Sequence, residues 1–396
     1  MRILQLHNAH QTFGGANLVI ERENKLLTEA GHQVETFFVE SSEMLAGPKH
    51  KQLTSVVWNL DANREVRRRI AEQGTDVVHL HTPFPFMSPS VVRAAKRSGV
   101  PVAMTSHSFR IPCIVGTLQR NGSACHDCVG APLPVAAVRH RCYHDSLPAS
   151  AALAASSLLH HKTGTYSSAI DRHLALTPYM KDLLVRDGIP AERVTVHPNF
   201  IPDPIHGGDP ATDAPERSGA VFVGRLVGEK GIETLVEAWR LLGDNAPPLR
   251  IVGGGDERAR LEARAPATVS FLGEIPNPDV VGHLRHAEAL IFPSEWPEGL
   301  PITLIEALAT GTPVLYSDIG NFTDLLDDAG CGASFVTGSP ESLAETVRSF
   351  FGPLGQGQGS RHERSQRAAR AYYQEHFTPA AALHRLEAIY RGIIDN

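Results

Sequence analysis

The chain has 396 residues, 42% hydrophobic and 20% charged, with a formal net charge of −6 at pH 7. That length favours two domains of about 200 residues, the composition is that of an ordinary soluble protein, and the negative balance argues against nucleic acid as a partner. No apolar run reaches membrane-spanning length and the chain opens on a strand-like run rather than a signal peptide, so a cytoplasmic protein is expected.

Ile3 to Leu6 is a short apolar run ending in polar His7-Asn8. Phe13-Gly14-Gly15-Ala16 follows, then a helical pattern to Ala30, a stop at Gly31 and a strand from Val34 to Val39. Strand, glycine turn, helix and strand make a βαβ unit. Gly14 and Gly15 lie between strand end and helix start, where backbone N–H groups can approach a phosphate. Strands are expected at Asp76 to Leu80, Val100 to Thr105, Leu174 to Leu176 and Val194 to His197. Residues 203 to 218 are polar and rich in Pro and Gly, which marks a linker. Beyond it the alternation restarts: strands at Ala220 to Val223, Leu249 to Val252, Val269 to Leu272, Leu290 to Phe292 and Pro313 to Tyr316, with helices between them. A helix from Pro340 to Phe351 and two further helices broken near Pro379 close the chain. Two doubly wound α/β halves facing across a cleft fit this order. Gly253-Gly254-Gly255 follows a strand but fails the Gly-x-Gly-x-x-Gly spacing, since position 258 is Arg, so a redox dinucleotide is not expected.

The stretch from Phe292 to Pro313 carries the clearest chemistry. Pro301 suits the first turn of a helix that Gly311 and Pro313 close. That helix is apolar nearly all round except for Glu306, which shares a face with Ile302, Ile305 and Ala309. A carboxylate on a buried helix needs a partner, either a cation or a ligand hydroxyl. Glu298 precedes the same helix start, so two carboxylates and free helix N–H groups converge on one strand's carboxyl end, where open α/β sheets bind ligands. A sugar joined to a phosphate would satisfy both. Gly224-Arg225-Leu226 and Glu229-Lys230-Gly231 form a second loop at a strand end, with a planar cation and a point charge suited to a diphosphate.

With Phe13-Gly14-Gly15, His107, Arg225, Lys230 and Glu298-x7-Glu306 in this order, the chain resembles the retaining glycosyltransferases of family 4. That resemblance implies the GT-B fold, two Rossmann-like domains facing across a cleft. It implies an acceptor-side domain over residues 1–202, a linker at 203–218, a donor domain at 219–376 and a last helix, 377–396, crossing back to the first. The implied donor is a nucleotide-diphosphate sugar, UDP- or GDP-type, and the acceptor a hydroxyl on a saccharide, a lipid-linked molecule or a small molecule. Arg225 and Lys230 would neutralise the diphosphate and Glu298 would bind the donor sugar. Glu306 would hold the ribose, and the backbone of Gly299, Leu300 and Pro301 would meet phosphate or sugar. Gly14 and Gly15 would close over the diphosphate, and His107 would sit by the anomeric centre. Ser108 follows His107 where many members carry Asp, and Asn321-Phe322-Thr323-Asp324 stands where a glycine-rich turn with Glu is usual. No catalytic metal is required by a front-face displacement. Other GT-B activities, a synthase or an epimerase, would use the same donors. A non-catalytic sugar-nucleotide binding protein would keep the residues but release no nucleotide diphosphate.

Cys113, Cys125, Cys128 and Cys142 form Cys-x11-Cys-x2-Cys-x13-Cys in an insertion spanning about 108–146. Cys-x2-Cys is a chelating half-site, and a stretch without its own core suits a structural zinc, with buried free thiols or disulfides as alternatives. Cys331 is isolated and suits a core. His79 and His81 suit core or solvated roles. Arg64, Arg67, Arg68 and Arg69 form a basic helical face, solvated or in peripheral contact with a membrane carrying a lipid-linked acceptor. Leu147 to Leu159 suits a buried or acceptor-groove helix.

Overall fold

The computed structural model describes residues 1–9, 15–205, 216–320, 322–352 and 359–395. The chain divides into two compact units. The first comprises Met1–Leu118, Cys125–Asn199 and Pro379–Asn396; the second comprises Gln119–Ala124 and Phe200–Thr378. Gly14, Asn321 and most of the 203–218 linker lie outside the described residues.

The first unit runs β1 (Arg2–Ala9), α1 (Gly15–Glu29), β2 (Gln33–Glu40), α2 (Ser41–Ala46), α3 (Lys49–Val57), α4 (Leu60–Gln73), β3 (Val77–Thr82), α5 (Ser90–Arg97) and β4 (Val102–Ser106). A two-residue hairpin, β5 (Gln119–Arg120) and β6 (Ser123–Ala124), interrupts it. Then come α6 (Val135–Arg139), α7 (Leu147–Lys162), β7 (Arg172–Ala175), α8 (Pro178–Arg186) and β8 (Val194–Val196). Its sheet is parallel throughout, ordered β2-β1-β3-β4-β7-β8. The middle strands β3 and β4 are almost wholly buried, as expected for a sheet covered on both faces. Sequence periodicity does not reveal α2 and α3, because Leu45 and Leu53 are 50% and 45% exposed and leave no clean apolar stripe.

The second unit runs β9 (Ala220–Val223), α9 (Ile232–Leu242), β10 (Leu249–Val252), α10 (Arg258–Glu262), β11 (Val269–Gly273), α11 (Asn277–Arg285), β12 (Ala289–Phe292) and α12 (Ile302–Ala309). It continues through β13 (Val314–Ser317), α13 (Thr323–Leu326), β14 (Gly332–Phe335), α14 (Pro340–Phe351) and α15 (Gly359–His376). Its sheet, also parallel, is ordered β11-β10-β9-β12-β13-β14. Phe222, Leu235, Trp239, Ile251, Ile291 and Leu315 share one buried cluster. Arg370 on α15 is nearly buried and is held by both carboxylate oxygens of Asp203, at 2.6 and 2.9 Å, and by the Ala309 carbonyl. Two details depart from the sequence reading. Pro301 is the residue before α12 rather than its first turn, with extended φ and ψ of −65° and 135°. β14 goes unread because Gly-Ala-Ser-Phe has little strand propensity; pairing to β13 imposes the conformation.

The last helix, α16 (Pro379–Ile394), belongs to the first unit. Leu386, Tyr390 and Ile393 pack with Ile3, Leu27, Val77, Ala103 and Leu174 in one cluster. Glu387 pairs with His32 at 2.9 Å.

Candidate active site

Within the second unit the strand order reverses between β9 and β12, the place where open α/β sheets take ligands beyond the strand carboxyl ends. The two loops singled out in the sequence leave those two strands. After β9, a turn at Gly228–Lys230 leads into Gly231, which starts α9 with φ +66°. A Cβ there would fall 1.8 Å from the Pro293 carbonyl oxygen, so only glycine lets the Lys230 loop close against the loop after β12. Glu295 N–H donates to the Glu229 carbonyl across the same seam.

This packing brings Lys230 and Glu298 together. The Lys230 ammonium lies 2.5 Å from Glu298 Oε2, both side chains being mostly buried, and Ser294 Oγ donates to Glu298 Oε1. Thr234 Oγ1 donates to Glu295 Oε1 at 2.6 Å. Glu306 is 3% exposed on α12, and its Oε1 accepts from Asn277 Nδ2 at 2.9 Å, a contact from α11 that sequence spacing does not reveal. Leu300 is buried and Gly299 and Pro301 half-buried ahead of α12, whose first N–H groups have no partner within the helix. Arg225 is exposed and makes no ion pair among the described residues. Asp324 stands on α13, its N–H reaching the Gly320 carbonyl.

The first unit gathers histidines at the carboxyl end of its sheet. Glu23 on α1 is 2% exposed, and Val19, Ile20 and Leu27 share its buried stripe. One Glu23 oxygen lies 2.9 Å from His79 Nδ1 and 3.3 Å from His81 Nε2, and it accepts from Gln5 Nε2 at 2.9 Å. Burial alone would raise this carboxyl, but the two histidines hold it well below its ordinary range. The Tyr390 hydroxyl also meets His79 Nδ1, at 2.7 Å, and Thr105 Oγ1 meets His79 Nε2 at 2.8 Å. Among the described residues, Glu23, His79 and His81 are the group of three or more His, Cys, Asp or Glu donors within 4.8 Å of one another, and the four insertion cysteines expected to hold zinc do not form one. With both His79 nitrogens engaged by protein groups, this is a hydrogen-bonded core network, in line with the core role expected of His79 and His81.

His107 sits at the open end of that network. Its Nε2 is 3.1 Å from His81 Nδ1 and the two rings stack with centroids 5.3 Å apart. Burial first, and then His81, push the His107 pKa well below its ordinary value, so the ring is neutral at pH 7. Of the glycines before α1, Gly15 starts the helix. Glu23 escaped the sequence reading, although a charge within the apolar stripe Val19, Ile20, Leu27 was the available signal. Glu23→Gln is expected to lower stability by about 1–3 kcal/mol, the cost of weakening a charge-assisted buried network. Denaturant titration checks this, and an unchanged midpoint would contradict it.

The four insertion cysteines are half-buried and form no disulfide among the described residues, and Cys331 is fully buried. Burial pushes the Cys128 thiol up to about 11, with further contributions from Cys113, Cys142 and Cys125, while the Ala137 N–H donates to its sulfur. On the basic face of α4, Arg64 pairs with Asp61, Arg68 with Glu65 and Glu72, and Arg69 with Glu35 and Glu65. These carboxylates offset most of the charge of that face. Among the described residues no helix is long and apolar enough to cross one.

Residues 13–203 match the model of Glycosyltransferase Family 4, and residues 213–368 that of Glycosyl transferases group 1. TuaC of Bacillus subtilis, a putative teichuronic acid biosynthesis glycosyltransferase, is 40% identical over 106 residues, 27% of this chain and 26% of its own length. A phosphatidyl-myo-inositol mannosyltransferase of Mycolicibacterium smegmatis is 23% identical over 353 residues, 84% of this chain and 80% of its own. Matches to seven other curated relatives, TuaC included, span only 26% to 41% of their lengths. Among solved structures, a glycosyltransferase from Rickettsia africae is similar with a TM-score of 0.70 at 18% identity, covering 100% of this chain and 99% of that one. Anabaena Alr3699/HepE, solved in complex with UDP, is similar with a TM-score of 0.63 at 15% identity, covering 98% and 99%. Glycosyltransferase models thus match both halves of the chain, family 4 in the N-terminal half, and with its two parallel six-stranded sheets the fold is GT-B.

Proposed function

We propose that this glycosyltransferase moves a sugar from a nucleotide-diphosphate donor, UDP- or GDP-type, to a hydroxyl acceptor with retention of anomeric configuration. The observation that carries the reading is the meeting of Lys230 and Glu298 ahead of α12, in the loops that leave β9 and β12 at the switch point of the second unit. HepE binds UDP and UDP-glucose, which supports a UDP-type donor. In the absence of donor, Lys230 and Glu298 satisfy one another. A donor exchanges that pair for two better ones, diphosphate oxygens on Lys230 and Arg225 and sugar hydroxyls on Glu298. Glu306 takes the ribose hydroxyls, and backbone N–H groups from Gly299 to the start of α12 meet phosphate or sugar. Gly14 and Gly15 are assigned to the diphosphate, and the neutral His107 ring offers a hydrogen bond to the transferred sugar.

Retention without a protein nucleophile is served by front-face displacement. The bond from the anomeric carbon to the diphosphate oxygen breaks through an oxocarbenium-like state. The acceptor oxygen bonds the same face, and its proton passes to the departing phosphate oxygen. Arg225, Lys230 and the α12 dipole stabilise the charge that develops on the leaving group. No metal is needed for that step.

Screening nucleotide sugars by thermal shift identifies the donor, because a ligand at about a hundred times its Kd stabilises the fold by about 2.7 kcal/mol. Release of nucleotide diphosphate from the stabilising donor then separates a transferase from a binding protein. A panel in which no nucleotide sugar shifts the transition would sink the reading.

For the insertion we propose a structural zinc on Cys113, Cys125, Cys128 and Cys142. The support is the Cys-x2-Cys half-site in a stretch with no core of its own; among the described residues no three of these thiols lie within 4.8 Å of one another, so the ion would have to draw them in. The Cys128 thiol, which burial keeps protonated, would ionise beside a dication. Elemental analysis of purified protein is expected to find about one zinc per chain, lost on replacing Cys125 and Cys128 by serine. Absence of zinc from protein purified without chelator would refute it.

A further inference from the structure

The first unit holds a cavity of about 690 Å³, within the range of about 300–1,000 Å³ that takes small-molecule ligands. Ser41, just beyond β2, Pro85 and Phe86 beyond β3, and Arg110 beyond β4 line one side of it. It therefore opens at the carboxyl end of the sheet, and Arg110 lies three residues after His107 in the same loop. Most of the rest is apolar: Phe86 and Leu153 are buried in its wall, while Leu45 and Leu53 are 50% and 45% exposed. The apolar lining thus continues outward onto the surface.

Arg110 is the cation in this wall. Its Nη1 donates to the Ile114 carbonyl at 2.6 Å, and its guanidinium lies 5.4 Å from the Tyr143 ring centroid. Burial pushes its pKa down, and the groups that oppose this are Tyr143 and Cys113, neither of them a carboxylate. No acidic side chain pairs with it among the described residues. A carbonyl and an aromatic face recover part of the cost of removing a guanidinium from water, and a Cys113 thiolate on the proposed zinc would add to them, but no carboxylate stands beside it among the described residues. Arg69 and Arg370 show the contrast, each with a carboxylate, whereas Arg217 shares the condition of Arg110, held by the Ala287 and Thr310 carbonyls and the Thr312 hydroxyl.

We infer that this cavity takes the acceptor, and that the acceptor is an amphiphile with an anionic phosphate head and an apolar chain. The inference rests on the transferase reading and adds the substrate class to it. The phosphate supplies the counter-charge that Arg110 lacks. The chain lies along Phe86 and Leu153 and leaves across Leu45 and Leu53. Membrane attraction by the basic face of α4 is not needed, since carboxylates already answer that face.

Calorimetric titration of the full chain with n-dodecyl phosphate, n-dodecanol and inorganic phosphate, below micelle-forming concentrations, tests it. Dodecyl phosphate is expected to bind roughly tenfold or more tightly than dodecanol, with inorganic phosphate weaker than both. Arg110→Met, which keeps most of the stem, is expected to erase the preference for phosphate over alcohol. Ala152→Phe, which fills the cavity, is expected to weaken both alkyl probes. Equal affinity for dodecyl phosphate in wild type and Arg110→Met would overturn the inference. So would inorganic phosphate binding as tightly as dodecyl phosphate. If Arg110→Met no longer unfolds cooperatively, Ala152→Phe decides, and unchanged dodecyl phosphate binding in that variant is the overturning result. UDP is titrated in parallel. Protein that binds UDP but not dodecyl phosphate overturns only the acceptor class; protein that binds the amphiphile but no nucleotide overturns the transferase reading.

Discussion

Alanine at Arg225 or at Lys230 is expected to lower turnover roughly a hundredfold or more, the loss typical of removing one group that stabilises developing negative charge. The two variants differ in a diagnostic way. Arg225 is exposed and makes no ion pair among the described residues, so its loss leaves the resting structure intact and removes only a contact to the donor. Lys230 is the partner of Glu298, so Lys230→Ala also leaves a mostly buried carboxylate without its cation. Repulsion between that carboxylate and a diphosphate should raise KM as well as lower kcat, whereas Arg225→Ala should act mainly on kcat. Steady-state kinetics with the donor found by thermal shift measure both, and near-normal turnover in both variants would sink the assignment of this loop.

Lowering the pH from 7.5 to 5.5 is expected to remove about 4 kcal/mol of stability, from three buried histidines at about 1.4 kcal/mol per pH unit each. Burial pushes His160, His173 and His197 down to about 4, against the partial support that the Val57 carbonyl gives His160, the Tyr166 carbonyl gives His173 and Glu23 gives His197. In the unfolded chain each takes a proton near 6.5. Between 6.5 and about 4 the unfolded state therefore holds more protons, and stability falls as the pH falls. Below about 4 this contribution is spent. His81 and His107 move in the same direction. His161 works in the opposite sense: burial would lower it, but its bond to Asp187 at 2.8 Å raises it, offsetting part of the loss. Since single domains are stable by only about 5–15 kcal/mol, a shift of this size should be plain in urea midpoints at the two pH values. Equal midpoints would show that these histidines are hydrated in solution.

Much of the donor side was legible because its chemistry is local. Arg225 and Lys230 lie within one turn after a strand, and Glu298 and Glu306 flank one helix start, so spacing alone places each pair. The same locality allowed α9 and α14 to be read from periodicity with the bounds the structure shows. The first unit was less legible. Glu23 and His79 are separated by most of a βαβ unit, and Tyr390 reaches His79 from the other end of the chain. Arg110 carries no spacing signal in the sequence; the walls of its cavity come from residues as far apart as Ser41 and Leu153.

By itself, then, the sequence determined the class of fold and brought forward the residues now proposed for a sugar nucleotide, because strand-end loops and helix starts express their chemistry over a few residues. Only the tertiary structure decided which charges answer one another: Lys230 with Glu298, Glu23 with His79 and His81, and Arg110 with no carboxylate among the described residues. A charge's partner depends on which elements stack side by side, and in a parallel sheet whose strand order reverses, neighbours in space are distant in sequence.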